Sequence, residues 1–349
     1  MENKMKHIKT LAAFLCIFGL LFSFASCRIP VKAQEKIYFE YFDTVSVISS
    51  YAGDDPENFE ENCAAIEEYL KEYHRLFDIY NEYEGINNLY TLNKSAGGDW
   101  VQVDVKLIDF LLWAKELYGL LGGEMNIMMG SVLSLWHDCR ESSSKGNPYI
   151  PDGAELSEAA KHISMDALEI DKANLRVRIT DADASIDVGA IGKGYATEMA
   201  AKYLIGKGVS GYVLNIGGNI RIIGEKPNGD GWSTGIKDPF DPQKLAVKLL
   251  LSDTSCVTSG DYERYFELDG VRYHHIIDKD TLYPAELFSS VTVVCEDSGL
   301  ADALSTALFC MSYEDGLRVI DSFDGVEAFW VLRSGEEKMT DGFKDLIMK

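Results

Sequence analysis

Asp302 and Thr306 lie four residues apart in an otherwise apolar run, residues 300–308, that is predicted to be helical. Residues at positions i and i+4 of a helix share one face, so this carboxylate and this hydroxyl would point the same way. Such a pair can bind a hard cation such as Mg²⁺ through its oxygens. Alternatively, the aspartate complements the positive end of the helix dipole and the threonine has no special role.

Glycines mark two further segments that could bind a ligand. In residues 185–195 a predicted strand gives way to glycines and then to a predicted helix that contains Lys193. The free N–H groups of such a helix start bind phosphate, and the lysine adds positive charge. In residues 215–220, Gly217 and Gly218 separate two strand-like runs and allow a ligand or another backbone to come close. A tight strand–helix turn and an ordinary hairpin turn are the alternatives.

A pair of histidines is the candidate for acid–base chemistry. His274 and His275 lie in a predicted strand, residues 273–277, which follows a turn at Asp269-Gly270. Successive side chains of a strand point to opposite faces, so only one of the two can face a given site. A histidine with an aspartate three residues later, as at position 275, could act as a base or could be a structural hydrogen-bonding residue.

The elements around these segments predict an α+β fold. Strands that occur in clusters, with helices between and before them, favour that class over a doubly wound parallel sheet. We predict one unit of mixed and antiparallel sheets packed with helices, residues 37–349. Apolar spacing predicts helices over 57–77, 104–121, 192–207 and 298–310, and a loop is predicted over 142–148. Strands are predicted over 37–51, 168–170, 175–180, 212–216, 220–224, 232–236, 246–251, 273–277 and 290–294.

The composition excludes some classes of protein. With 46% hydrophobic residues in 349, the chain is too apolar to be disordered. Its formal charge of -23 argues against nucleic-acid binding, which needs a clustered basic surface. The cysteines beyond Cys27 are scattered without a C-x-x-C pair, so we expect buried small apolar residues and neither a zinc site nor disulfides.

The first residues are typical of a lipoprotein signal. Three lysines precede an uncharged stretch, residues 11–26, that ends in small residues just before Cys27. That pattern resembles a lipobox, in which the cysteine becomes the lipidated first residue of the mature protein. We therefore predict a signal over 1–26, a tether over 27–36 and an anchor on the extracytoplasmic face of the cell membrane. An ordinary secretory signal and an uncleaved anchor are the alternatives.

Taken together and in this order, the chemistry-bearing segments resemble the ApbE family of FAD:protein FMN transferases over about residues 41–309. The matching segments are Asp187-x-Gly189-Ala190-Ile191-Gly192-Lys193-Gly194-Tyr195, Asn215-x-Gly217-Gly218, Ser259-Gly260-Asp261-Tyr262-Glu263-Arg264, His275-Ile276-Ile277-Asp278 and Ala301-Asp302-Ala303-Leu304-Ser305-Thr306-Ala307. No one of these segments is distinctive, but the series of them is. The predicted lipoprotein signal also agrees with the family.

The resemblance implies a single α+β unit that binds FAD in a cleft, with Mg²⁺ against the pyrophosphate. The implied cation ligands are the backbone oxygen of Ala190, the carboxylate of Asp302 and the hydroxyl of Thr306. His275 is the implied base. The implied contacts with FAD are Phe42, Thr44, Asn126, Lys193, Gly217, Gly218, His275 and Ile276. The implied product is FMN in phosphoester linkage to Ser or Thr of an acceptor flavoprotein, often a membrane-bound electron-transfer subunit, with release of AMP.

The chain also departs from the family pattern at two turns. Asn126 stands where the family has Asp, and the loop over 278–284 lacks the usual Pro and Gly. These changes affect FAD affinity more directly than the chemistry, because no implied cation ligand is lost. Two other functions remain open at this point: a metal-dependent FAD pyrophosphatase that uses water as the acceptor, and a lipoprotein that binds flavin without chemistry.

Overall fold

The computed structural model describes residues 33–51 and 53–349. The helices in this part of the chain are α1 (Pro56–Phe77), α2 (Leu89–Lys94), α3 (Val105–Leu120), α4 (Gly130–Ser144), α5 (Gly153–Ala159), α6 (Gly192–Gly206), α7 (Ser298–Cys310), α8 (Tyr313–Ile320) and α9 (Asp341–Asp345). The strands are β1 (Glu35–Tyr38), β2 (Ser46–Ser50), β3 (Val101–Gln102), β4 (Leu168–Asp171), β5 (Arg176–Ile179), β6 (Tyr212–Ile216), β7 (Asn219–Ile223), β8 (Trp232–Lys237), β9 (Leu245–Leu251), β10 (Ser255–Gly260), β11 (Tyr265–Leu268), β12 (Val271–His274), β13 (Phe288–Cys295), β14 (Glu327–Leu332) and β15 (Glu337–Met339).

An antiparallel sheet of eight strands, in the order β1-β2-β6-β7-β10-β13-β14-β15, forms the frame of the molecule. Every residue of the interior strand β13 is buried, because both faces of the sheet are covered. Val291 and Val293 pack with α7, whereas Val294 packs with the β8–β9 ribbon. The predicted α+β class with antiparallel sheets is confirmed.

Helices α6 and α7 lie against this sheet and carry the glycine segment and Asp302. Helix α7 begins at Ser298, where the side chain of Asp297 accepts a hydrogen bond from Leu300 N at 3.0 Å. This contact satisfies one of the N–H groups that the first turn of a helix leaves unpaired. Helix α6 begins at Gly192 without a side-chain cap. The N–H groups in the first turn of α6 are therefore available to partners from other elements.

Three predicted elements were wrong in their extent. The strand predicted over 37–51 is two strands, β1 and β2, because Phe42 and Asp43 adopt positive φ angles of 56° and 51° and reverse the chain. The loop predicted over 142–148 begins later, because α4 continues to Ser144 and ends where Gly146 adopts a φ of 86°. The strand predicted over 273–277 ends at His274, whose side chain binds nearby backbone groups.

The predicted signal over 1–26 and Cys27 lie outside the described residues. The predicted tether over 27–36 lies partly outside them, and its last two residues belong to β1. Within the described part of the chain, no helix combines the length and the apolar character needed to cross a membrane. The cysteines in this part are all free, and four of the five are buried, as expected.

Candidate active site

Asp302 connects the start of α6 to the middle of α7. Its Oδ2 accepts a hydrogen bond from Gly194 N at 2.8 Å, and the residue is 5% exposed. Position 194 has to be glycine, since a Cβ there would lie 2.4 Å from the Cβ of Asp302 and 2.5 Å from the carbonyl oxygen of Ser298. The two helices therefore touch at backbone distance, and the carboxylate is held between them.

The backbone oxygen of Ala190 lies just before the first turn of α6. Tyr195 N donates to Ile191 O at 3.1 Å, which is the first hydrogen bond within the helix. The preceding donor, Gly194 N, is one of the first-turn N–H groups that have no acceptor within their own helix, and it binds Asp302. Among the described residues, no backbone N–H donates to that carbonyl. An acceptor is thus available one turn from the carboxylate.

Hydroxyl groups complete this cluster of oxygens. Thr306 lies one turn after Asp302 on α7, and its Oγ1 is 3.2 Å from Ser259 Oγ at the end of β10. Ser259 Oγ is also 2.8 Å from Ser305 Oγ. The sequence placed Thr306 on the face of Asp302 by helical spacing. It did not identify Ser259 as a neighbour, because that contact joins residues 47 positions apart.

The electrostatics of this cluster favour a cation. Burial raises the pKa of Asp302, while the positive charge of Lys193 and the Gly194 N–H partly oppose that shift. A buried carboxylate is costly unless a charge or a metal ion compensates it. The available donors are a carbonyl, a carboxylate and a hydroxyl, which is the all-oxygen set that Mg²⁺ prefers. The residues predicted as ligands, Ala190, Asp302 and Thr306, therefore fit such an ion.

Lys193 lies next to these groups at the start of α6. Its Nζ donates to Gly189 O at 3.3 Å, and Gly189 N in turn donates to Asp187 Oδ1 at 2.8 Å. The turn before α6 is thus stabilised by its own polar side chains. A positive charge at a helix N-terminus suits a phosphate group, as the sequence predicted.

The two histidines have different environments. Nε2 of His274 is 2.8 Å from Ala285 O, and its Nδ1 accepts from Ile276 N at 3.3 Å. Because the first partner is an acceptor and the second a donor, the ring is neutral with the proton on Nε2. Burial lowers the pKa of His274 to about 4. His274 is therefore the structural histidine of the pair.

His275 has the opposite character. Its Nδ1 is shielded from solvent and makes no hydrogen bond with the described residues. Burial, followed by the positive charges of Arg264 and Lys193, lowers the pKa of His275 to about 3. This pKa is lower than the ordinary histidine value near ~6.5. The ring is therefore neutral, and its Nδ1 is available to accept a proton. Ile276, the next predicted contact, is buried and bound through its backbone to Ala285 N at 3.0 Å.

A basic region on the far side of His275 was not found from the sequence. Helix α4 packs on the β11–β12 hairpin, where Trp136 stacks on Tyr273 at 5.8 Å between ring centroids. This packing brings α4 residues to the site, including His137, whose Nδ1 is 2.7 Å from the hydroxyl of Tyr80. Burial and the nearby Arg264 lower the pKa of Arg140. Within the described chain, neither arginine has a carboxylate within salt-bridge distance.

The signal for this region was weak in the sequence. Arg264 belongs to the Ser-Gly-Asp-Tyr-Glu-Arg segment but had no assigned role. Arg140 lies on α4, which was not predicted. The buried residues of that helix, Val132, Trp136 and Cys139, do follow helical spacing and could have revealed it.

Thr44 and the paired glycines lie together, and Phe42 precedes Thr44 by two residues in the same turn. Gly217 N donates to Val45 O at 3.0 Å, and a Cβ at Gly217 would lie 2.6 Å from Thr44 Oγ1. Gly218 N donates to Asn215 Oδ1 at 3.0 Å. The β1–β2 turn therefore docks on the β6–β7 turn, and the glycine at position 217 is needed for that close approach.

Both polar atoms of the Asn126 side-chain amide bind backbone groups. Its Nδ2 donates to Ile163 O at 2.9 Å, and its Oδ1 accepts from Met128 N at 2.9 Å. An ionised aspartate could accept the second bond but could not donate the first. The departure from the family pattern therefore has a local structural reason in this chain.

The two loops that depart from the family pattern also contact each other. Lys279 Nζ lies 3.2 Å from Glu124 Oε1, and both side chains are mostly buried. This ion pair joins the turn that contains Asn126 to the loop after His275-Ile276-Ile277-Asp278. The two segments are thus connected by charge as well as by the backbone.

Comparison with known proteins identifies the family. The ApbE family profile matches residues 42–330. The chain belongs to the ApbE family. It is 33% identical over 275 residues to the FAD:protein FMN transferase of Treponema pallidum, covering 74% of each chain. It is 30% identical over 269 residues to the FAD:protein FMN transferase of Klebsiella pneumoniae, covering 74% of this chain and 82% of that one.

Solved structures agree with this assignment. The ApbE protein of Thermotoga maritima superposes with a TM-score of 0.80 at 31% identity, over 91% of this chain and 100% of that one. The flavin transferase ApbE of Vibrio cholerae has the same fold, with a TM-score of 0.73 at 24% identity over 90% of this chain and 100% of that one. The predicted family and fold are confirmed. The roles of the individual site residues stay predictions.

Proposed function

We propose that this chain transfers FMN from FAD to a Ser or Thr hydroxyl of an acceptor flavoprotein, in a reaction that depends on Mg²⁺ and releases AMP. The relatives named as FAD:protein FMN transferases support the transferase class. The observation that carries the cation dependence is the oxygen cluster of Ala190, Asp302 and Thr306. This cluster lies beside Lys193, at the start of α6.

The reaction exchanges the phosphoanhydride bond of FAD for a phosphoester bond to the acceptor. The acceptor hydroxyl oxygen bonds to the phosphorus of the FMN half of FAD, and the bond from that phosphorus to the bridging oxygen breaks. AMP leaves with the bridging oxygen, and the hydroxyl proton goes to a base. A Mg²⁺ ion on Ala190 O, Asp302 and Thr306 Oγ1 would neutralise charge on the pyrophosphate. Lys193 adds a second positive charge at the helix start.

His275 is the proposed base. A neutral imidazole with an unpartnered nitrogen can accept the hydroxyl proton, provided that the hydroxyl lies within hydrogen-bond reach. A pKa near 3 makes it a weak base in the free protein. Bound pyrophosphate would offset the charges of Lys193 and Arg264, which lower that pKa, and so strengthen the base when the substrate is in place.

The lipoprotein prediction belongs to the same proposal. We place the protein on the extracytoplasmic face of the cell membrane, anchored through Cys27 after removal of residues 1–26. The tether 27–36 would then hold the unit 37–349 near membrane-bound acceptors, such as subunits of electron-transfer complexes. Replacement of Cys27→Ala should move the protein from the membrane to the soluble fraction. If the variant remains membrane-bound, the lipid anchor at Cys27 is wrong.

The decisive experiment uses the chain without residues 1–26, FAD, Mg²⁺ and a peptide that carries a Ser/Thr-Gly-Ala-Thr segment. We expect the peptide to gain the mass of an FMN phosphoester and AMP to appear in equal amount, both lost on addition of a chelator. The matched control is the same peptide with Ala in place of the acceptor residue.

Two other outcomes would point to different functions. AMP release that persists with the control peptide would favour an FAD pyrophosphatase with water as the acceptor. FAD binding without AMP, also with a native acceptor, would favour a flavin-binding lipoprotein. The unpaired Ala190 carbonyl and the buried Asp302 speak against the second, because simple binding does not require a cation site.

A further inference from the structure

A second buried carboxylate, Glu198, lies one turn after Gly194 on α6. It is only 3% exposed. A buried carboxylate destabilises a protein unless it is paired and hydrogen-bonded. The contacts of Glu198 therefore indicate why α6 carries an acidic residue on its buried side.

Glu198 binds the start of α7. Its Oε2 accepts a hydrogen bond from Ser298 N, the first residue of that helix, at 2.9 Å. In the opposite direction, Asp302 of α7 accepts from Gly194 N, in the first turn of α6, at 2.8 Å. Each helix thus supplies a carboxylate to an unpaired N–H group in the first turn of the other. We call these two reciprocal bonds the α6–α7 clamp.

Positive charges hold Glu198 in this position. Arg221 of β7 is 1% exposed and places its Nε 3.4 Å from Glu198 Oε2. Lys202 Nζ lies 3.6 Å from Glu198 Oε1 and 2.9 Å from Asp297 Oδ2, at the residue that caps α7. Arg221 also lies 3.2 Å from the exposed Asp253. The clamp is therefore anchored in the central sheet as well as in the two helices.

We propose that Glu198 is a positioning residue for the cation site. It fixes α7 against α6 so that Asp302 stays bound to Gly194 N at the start of α6. This inference rests on the proposed function, because it concerns the cation on Ala190, Asp302 and Thr306. Without the bond to Ser298 N, α7 can move relative to α6 and carry Asp302 and Thr306 away from Ala190 O. That change would misplace two of the three ligands.

The experiment measures cation affinity directly in the full chain, purified in detergent, with Mn²⁺ as the probe. Free Mn²⁺ is followed by electron paramagnetic resonance, so the readout does not depend on turnover. Residues that orient metal ligands typically change affinity about 10- to 100-fold when they are replaced. We expect Glu198→Gln, which keeps an acceptor oxygen but loses the charge, to raise the Mn²⁺ Kd about tenfold. Glu198→Ala should raise it further.

The matched control is Asp253→Asn, which removes the other carboxylate near Arg221 and leaves the clamp intact. Its Kd should stay within about twofold of the wild-type value, and its KM for the acceptor peptide should not change. In Glu198→Gln, the Mg²⁺ concentration for half-maximal rate should rise while that KM stays constant. A general loss of packing would instead affect both quantities and the thermal midpoint.

Failure of the positioning role and failure of the proposed cation site give different results. If Glu198→Gln and Glu198→Ala bind Mn²⁺ like the wild type while Asp302→Ala does not bind it, the positioning role is wrong and the cation site stands. If the wild type itself shows no binding that Asp302→Ala removes, the proposed cation site is wrong and this inference is overturned with it. Should Glu198→Ala fail to fold, Glu198→Gln still decides between these outcomes.

Discussion

The two sides of the candidate site are built in different ways. On the α6–α7 side, Asp302 and Glu198 are buried and bound to backbone N–H groups at 2.8 and 2.9 Å. On the other side, His275 and Arg264 lie beside α4, and Nδ1 of His275 has no hydrogen-bond partner among the described residues. The first side presents organised oxygen atoms, which suit a cation. The second collects positive charge, which suits an anion.

This difference indicates how a substrate would complete the site. A pyrophosphate with a bound divalent cation carries charges that complement both sides and would join them. The two sides also differ in the direction of their pKa shifts: burial raises the pKa of Asp302 and lowers that of His275. Perturbed groups of opposite type, close together, are typical of catalytic sites. The following predictions test the two sides separately.

The largest effect should come from removing the carboxylate. Asp302→Ala deletes the charged group of the proposed cation site, and the loss of such charge stabilisation is worth several kcal/mol, or on the order of 10³-fold in rate. AMP release and peptide flavinylation should both fall by that factor. The thermal midpoint should change little when no cation is added, because relief of the buried carboxylate offsets the loss of its bond to Gly194 N. Full activity in this variant would contradict the cation site.

Replacement of the proposed base tests the other side. His275→Ala should slow transfer about 10²- to 10⁴-fold, the usual contribution of a general base, and should weaken FAD binding much less. Single-turnover rates and a fluorescence titration of FAD separate these effects. His274→Ala is not a suitable control, because its ring holds Ile276 N and Ala285 O. Equal losses in rate and in binding would make His275 a binding residue.

A pH profile should then locate the proton acceptor. The base must be unprotonated, and burial with the nearby cations lowers the pKa of His275 to about 3. Since a lowered pKa keeps the ring neutral as the pH falls, kcat/KM, which reports the free enzyme, should show no acidic limb that depends on His275 between about pH 8 and about pH 5. Protonation of Asp302, whose pKa burial raises, produces a separate acidic limb, which should persist in His275→Ala. An acidic limb centred near ~6.5 and absent in His275→Ala would refute this assignment of the low pKa.

The same contrast explains what the sequence could predict. Asp302 and Thr306 were placed on one face because helical spacing is local. The role of the Ala190 carbonyl as a ligand followed only from the family resemblance. The Asp302 carboxylate is held at the start of α6 by a bond to Gly194, a residue 108 positions away. Local patterns therefore gave the helix faces and the glycine turns but not the contacts that make the groups reactive.

The errors have the same origin. Strand composition over 37–51 was uninterrupted, but Phe42 N bonds to Nδ1 of His74 at 3.2 Å, and the chain turns there with positive φ. Helix α4 was missed because serines and a leading glycine weaken its helix propensity, while its buried side packs on the distant β11–β12 hairpin. Because that helix was not predicted, the basic side of the site was not predicted either. Tertiary contacts decided both cases.

The smallest expected effect concerns Asn126, in the turn that the Glu124–Lys279 ion pair joins to the loop after Asp278. Asn126→Asp restores the family residue but replaces the donor to Ile163 O with an oxygen, leaving two acceptors face to face. Loss of one such bond costs about 1 kcal/mol or somewhat more, so the thermal midpoint should fall by a few degrees. The KM for FAD should change little, because the Glu124–Lys279 ion pair still holds the turn. Asn147→Asp, in the exposed loop after α4, is the matched control and should leave the midpoint unchanged. A lower KM for FAD in Asn126→Asp would show instead that this position contributes more to nucleotide binding than to the stability of the turn. The family aspartate would then be the better residue for binding FAD.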